Sequence, residues 1–251
     1  MEITTDMMNI ILNYINKDEL LIKSSSNCHI DIVKYIIANG ADVHGQNDYA
    51  LRLASANGHL EVVKYLIEHG ANVHAQNDYA LRRASDNVHL DVVECLIANG
   101  ADVHVCDDYA LRHASENGHL AVVECLIKNG ANIHADNDIA LRWASYNGHL
   151  DVVKCLISHG ANVHADDDDA LVYASRNGHL AVVECLIRNG ANVHAGNDES
   201  LRLASNNNHS DVVRYLEDYI EKKDKRSKEI EELQKTVLVL QNKLNELMNI
   251  K

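Results

Sequence analysis

The sequence predicts an all-α fold: a solenoid of stacked 30-residue helical repeats, followed by a longer C-terminal helix. Three observations predict it. The string LRLASANGHLEVVKYLIEHGANVHAQNDYA, from Leu51 to Ala80, recurs with a constant step of 30 residues. Leu51, Leu81, Leu111, Leu141, Leu171 and Leu201 share one phase, and Gly70, Gly100, Gly130, Gly160 and Gly190 share another. Each unit holds two stretches of helical apolar spacing, and no insertion or deletion breaks the register, as expected of units that stack on their neighbours.

In chain order, residues 1–17 are expected to form an N-terminal capping helix. Leu21, His29 and Gly40 fit the register of the later units, so the stack is expected over residues 18–220, as six units and a partial last one. Within a unit, Ala50, Leu51 and Ala54 mark one face of a short helix, with Asp48 as its expected N-cap. Asn57-Gly58 breaks that helix. Leu60, Val62, Val63, Leu66 and Ile67 mark a longer helix, and Gly70 stands where a left-handed C-terminal cap is expected. Residues 71–78, ANVHAQND, connect to the next unit. Helices of roughly 8 and 10 residues are marginal alone, so stability must come from stacking.

Composition narrows the function. Phe and Pro are absent, so the core is built from Leu, Ile, Val and Ala with a few Tyr. The formal charge is -14, and residues 1–208 hold 28 acids against 14 bases while residues 209–251 hold 9 of each. A surface of that sign repels phosphate, so neither nucleic acid nor an anionic membrane is an expected partner. No stretch of about 18 apolar residues could span a bilayer. The N-terminus has no basic segment ahead of an apolar one, and an intracellular location is expected.

Sixteen His suggest metal or catalysis. Six fall in the loop phase (His44 to His194) and seven in the turn phase (His29 to His209). Neighbours within a phase belong to stacked helices about 8–10 Å apart, too far to share a zinc ion bound at about 2 Å. Turn and loop hydrogen bonding is the expected role, with no cofactor and no metal. The six Cys show no C-x-x-C spacing and read as buried or half-buried small hydrophobes in a reducing compartment. The acidic pairs Asp107-Asp108 and Asp167-Asp168, with the run to Asp169, lie just before a helix, where acids meet free N–H groups and the helix dipole. No phosphate loop, G-x-S-x-G elbow or H-E-x-x-H is present, so no enzyme is expected.

The recurring NGHLEVVKYLIEHGANVHA resembles the second helix and following loop of the ankyrin repeat, over about four fifths of the chain. Two departures stand out. The family period is about 33 residues, and the three missing here fall in the hairpin between units, so the family's projecting fingers are expected to shrink to plain loops. The family's T-P-L-H appears as Tyr49-Ala50-Leu51-Arg52, so its hydroxyl and imidazole bonds cannot be made in the same way. Such proline-free, trimmed repeats resemble those of giant DNA viruses (mimivirus-like). That resemblance implies a viral protein in the host cytoplasm whose partner is an unknown, host protein.

Positions that differ between units locate the expected site. One first-helix position carries Leu53, Arg83, His113, Trp143, Tyr173 and Leu203; three residues on come Ala56, Asp86, Glu116, Tyr146, Arg176 and Asn206. In the ankyrin family the first helices line the concave, partner-binding face. Carried onto these positions, the resemblance makes Arg83, His113, Trp143, Tyr146, Tyr173 and Arg176 the partner-binding candidates, and Trp, Tyr and Arg dominate interface energies. Along residues 221–251, Ile230, Leu233, Val237, Leu240, Leu244 and Leu247 step by 3, 4, 3, 4, 3, an a/d coiled-coil seam that favours a weak parallel homodimer. The expected function is a non-catalytic protein–protein interaction scaffold. The alternatives are a metal-binding or enzymatic role for the His and Asp loops, or a structural spacer without a specific partner.

Overall fold

The computed structural model describes the backbone of residues 16–248 and the side chains of residues 16–245. The expected capping helix at 1–17 therefore lies outside the described residues, apart from Asn16 and Lys17. Among the described residues there are 14 helices and no strand. They form seven pairs: α1 (Lys17–Ser26) with α2 (Ile30–Ala38), α3 (Gly45–Ala56) with α4 (Leu60–Glu68), α5 (Ala75–Asp86) with α6 (Leu90–Ala98), α7 (Val105–Glu116) with α8 (Leu120–Lys128), α9 (Ala135–Tyr146) with α10 (Leu150–Ser158), α11 (Ala165–Arg176) with α12 (Leu180–Arg188), and α13 (Ala195–Asn206) with α14 (Ser210–Met248). Each first helix packs on the first helices of neighbouring units, and each second helix on second helices.

The 30-residue phase becomes one continuous core. Leu51, Leu81, Leu111, Leu141 and Leu171 form a buried ladder, faced by Val62, Val63 and Leu66 and their equivalents. Both helices of a unit end in the same way. Gly58 and Gly70 take left-handed φ of 74° and 95°. The His59 N–H then reaches Ala54 O at 2.9 Å and the Ala71 N–H reaches Leu66 O at 3.0 Å, the long closing bonds of Schellman caps.

The corner before each first helix differs from the sequence expectation. Asp48 does not cap its own helix. Gln46, Asn47 and Asp48 all adopt left-handed φ near 55°, and the same triple recurs at 76–78, 106–108, 136–138, 166–168 and 196–198. Asn and Asp, which hold the last two places of every triple, tolerate this region best among residues with a Cβ. The turn aims the buried Asp48 carboxylate at the following unit. It accepts the Asn72 N–H at 2.7 Å and the His44 Nδ1–H at 3.1 Å. Asp78, Asp108, Asp138 and Asp168 do the same to 102, 132, 162 and 192. A charge-assisted bond of this kind is worth about 1.5–3 kcal/mol. The trimmed connection is thus a braced left-handed turn and not a plain loop.

Arginine holds the turn from the other side. Arg52 donates to Asn47 O and Gln46 O at 3.0 and 2.9 Å, and its guanidinium lies 4.8 Å from the Tyr49 ring and 5.3 Å from the Tyr79 ring. Arg82 repeats this between Tyr79 and Tyr109. Further along, where Asp169 replaces the tyrosine, Arg142 pairs instead with Asp166 and Asp169 at 2.8 and 3.2 Å. Cation–π contacts give way to ion pairs along the stack.

The last second helix continues for 39 residues, with Val212 and Leu216 in the core and residues 221–245 exposed. Of the expected cysteine hydrophobes, Cys95, Cys125, Cys155 and Cys185 are half-buried, and burial pushes their thiols up. Cys28 and Cys106 are exposed, because they sit in left-handed turns and not on a helix face.

Candidate functional site

The variable positions lie at the C-terminal ends of the first helices, and the stack fixes their backbone. The ring Nε2 of His149 donates to Glu116 O at 2.9 Å, that of His179 to Tyr146 O at 2.9 Å and that of His209 to Arg176 O at 3.0 Å. Asn147 and Asn177 side chains donate to the same Glu116 and Tyr146 carbonyls at 3.0 and 2.8 Å. Each unit therefore satisfies the last open carbonyl of the helix before it, where intrahelical partners run out. Those two fixed residue types let the side chains of Asp86, Glu116, Tyr146 and Arg176 vary with no effect on the backbone that carries them.

The structure brings five of the six expected residues into one run. The His113 ring stacks on Tyr109 at 3.9 Å and meets the edge of Trp143 at 5.5 Å, while its Nδ1 pairs with Glu116 at 3.0 Å. Tyr146 and Tyr173 meet edge to face at 5.9 Å. Trp143, Tyr146, Tyr173 and Arg176, with Glu116 and Asn147, line a cleft of about 350 Å³. Trp143 and Tyr173 are half-buried, and Tyr146 is 45% exposed. Burial, with Asp169 nearby, pushes the Tyr173 phenol up. Arg83 stands apart, paired with Asp86 at 3.1 Å. Burial raises the Asp86 carboxyl above the usual aspartate range despite His113 and Arg83.

Sequence reasoning missed Asn147 as a cleft residue. Asn recurs at 57, 87, 117, 147, 177 and 207, which reads as a turn signal and hides the wall it makes at one unit. On α14, Ile230, Leu233, Val237, Leu240 and Leu244 are exposed as the seam requires, and the side chain of Leu247 lies outside the described residues. Leu238 and Val239, outside the a/d pattern, are equally exposed and widen the apolar band. The six loop imidazoles bond to aspartate, and the turn imidazoles from His59 to His209 bond to carbonyls. Among the described residues no group of three or more His, Cys, Asp or Glu is placed to hold a metal ion, and no helix is long and apolar enough to cross a membrane.

Helix pairs stacked in fixed register, with a variable face on a clamped backbone, define a helical-repeat solenoid. The chain belongs to the ankyrin-repeat family: the model for ankyrin repeats in three copies matches residues 4–77, 20–107, 81–167 and 162–228. Among solved structures it is similar to the human ASB11 ankyrin repeat domain, with 26% identity and a TM-score of 0.66 over 73% of this chain and 90% of that one. No curated protein sequence matched. Ankyrin repeats are in general non-catalytic protein–protein interaction modules.

Proposed function

We propose that this chain is a non-catalytic scaffold that binds a partner protein on the first-helix face, centred on Trp143, Tyr146 and Tyr173. One observation carries the reading. Aromatic rings from successive units form a contiguous, half-exposed cluster on a backbone held by the next unit's His and Asn. Rigid aromatic anchors of this kind dominate interface energies because they order few torsions on binding. The resemblance of these proline-free, 30-residue repeats to those of giant DNA viruses implies a viral chain with a host protein as partner in the host cytoplasm. The loop His and Asp, already bonded to each other, support the metal or enzyme alternative less.

A photo-crosslinking residue at Tyr146 should trap a partner that the same residue at exposed Glu124, on α8, does not. Alanine at Trp143, Tyr146 and Tyr173 together should leave the helical spectrum intact and weaken that partner by about 2 kcal/mol or more. Full retention of the partner by the triple variant would move the site elsewhere. A second reading concerns α14, whose exposed seam from Ile230 to Leu244 favours a weak homodimer with a second copy.

A further inference from the structure

We infer that the Trp143 cleft reads a partner segment by charge order: a guanidinium at the Glu116 end, a bulky apolar side chain over Tyr146, and a carboxylate at the Arg176 end. The inference rests on the aromatic surface proposed above and assigns it a ligand class, an extended peptide of stated polarity.

Glu116, Tyr146 and Arg176 occupy the same position in three successive units, so the cleft carries a negative, an aromatic and a positive group in chain order. Their backbones are fixed by the next unit's imidazoles, so the order is held at a constant step. Packed helices lie about 8–10 Å apart, which places the Glu116 and Arg176 backbones about 16–20 Å apart. At about 3.3 Å per residue an extended chain covers that in five or six residues. An interacting pair six positions apart therefore spans the cleft.

The molecule already shows how it holds a guanidinium. One position before the cleft residue Trp143, on the same helix, Arg142 is taken by the carboxylates of Asp166 and Asp169 and by Asp136 O. In two earlier units the equivalent Arg52 and Arg82 lie over tyrosine rings from two successive units. The cleft offers the same two ingredients: the exposed Tyr146 ring with Trp143 beside it, and the Glu116 carboxylate at one edge. His113 uses one bond to Glu116, and a carboxylate has room for further donors. Arg176 is exposed and forms no ion pair among the described residues. It repels a guanidinium at its own end and attracts a carboxylate there. The excess of acids over bases in residues 1–208 speeds encounter with a basic segment but does not set its direction.

The chain has a single tryptophan, Trp143, so its emission reports on this cleft alone. The full chain is titrated with the peptide SRTVLVTES, capped at both ends, and with STVLREVTS, the same residues with Arg and Glu adjacent, which cannot reach both ends of the cleft in either chain direction. The first should change Trp143 emission saturably and bind at least about tenfold more tightly, a difference of about 1.4 kcal/mol. In the variant Arg176→Glu that preference should be lost. Equal responses to both peptides, no saturable response to either, or a preference that survives Arg176→Glu would each overturn the charge order. The alanine test of Trp143, Tyr146 and Tyr173 reports separately on the aromatic surface. Loss of the crosslinked partner there, with no order preference here, removes the charge code and leaves the surface.

Discussion

Val88 is the one β-branched residue at a left-handed position that four other units give to glycine, and replacing it with glycine should stabilise the stack. Gly58, Gly118, Gly148 and Gly178 hold this position with φ between 74° and 78°, and Val88 holds it at 65°. A β-branched residue in the left-handed region costs about 1–2 kcal/mol. The next unit adapts to the side chain. A Cβ built on Gly118 would lie 2.6 Å from the His149 ring as it stands, whereas beside Val88 the His119 ring keeps its bond to Asp86 O at 3.0 Å. Val88 is 52% exposed, so its removal forfeits little buried area. Glycine adds back about 0.5–1 kcal/mol of unfolded-state entropy. The balance for Val88→Gly is a gain of about 0.5–1.5 kcal/mol, or a rise of roughly 1–5 °C in the melting midpoint for a repeat domain of this size. Urea unfolding followed by circular dichroism gives the midpoint and shows whether the slope is unchanged. The reverse exchange, Gly118→Val, should cost about 1–2 kcal/mol from its left-handed φ, with the His149 bond to Glu116 O kept as His119 keeps its own beside Val88. A lowered midpoint for Val88→Gly, together with a harmless Gly118→Val, would refute the account of these turns.

Leu111→Ala empties a fully buried place in the ladder and should lower stability by about 2–4 kcal/mol, read by the same unfolding assay. Asp86→Asn should raise stability at neutral pH, because burial lifts the folded-state carboxyl above its unfolded value. A raised acid makes stability fall as pH climbs through the carboxylate range, so the gain from Asn should vanish near pH 3, where both forms are neutral. Sedimentation should show the full chain in a weak monomer–dimer equilibrium at tens of micromolar, and a chain ending at Glu221 as a monomer. If both run as monomers, the seam does not join two copies.

Much of the fold is legible because one period carries it. The leucine phase, the two helices and the glycine caps all follow from local rules, and each places a residue where the structure has it. The corner was not legible. An Asp just ahead of a helix satisfies the N-cap rule, yet Asp48 spends its carboxylate on Asn72, 24 residues on. In a strict repeat, bonds within a unit and bonds between units recur with the same step, so periodicity alone cannot tell them apart. The left-handed triple was hidden for a related reason: Asn and Asp favour both caps and positive φ. Contact between Trp143 and its neighbours was legible, because equal positions of stacked units must adjoin. The breadth of the apolar band on α14 was not, since an a/d count passes over Leu238 and Val239.

The unbroken passage from the last repeat into α14 makes the solenoid and its tail one mechanical part. At about 1.5 Å per residue, the 39 residues from Ser210 to Met248 form a rod of roughly 58 Å. Its first two turns are seated by Val212 and Leu216, and no glycine or proline follows to act as a joint. A body attached near Leu240 is therefore held at a set bearing from the Trp143 cleft, and a small tilt of the final unit swings it through an arc several times larger. The helix is a lever arm with its fulcrum in the seventh helix pair.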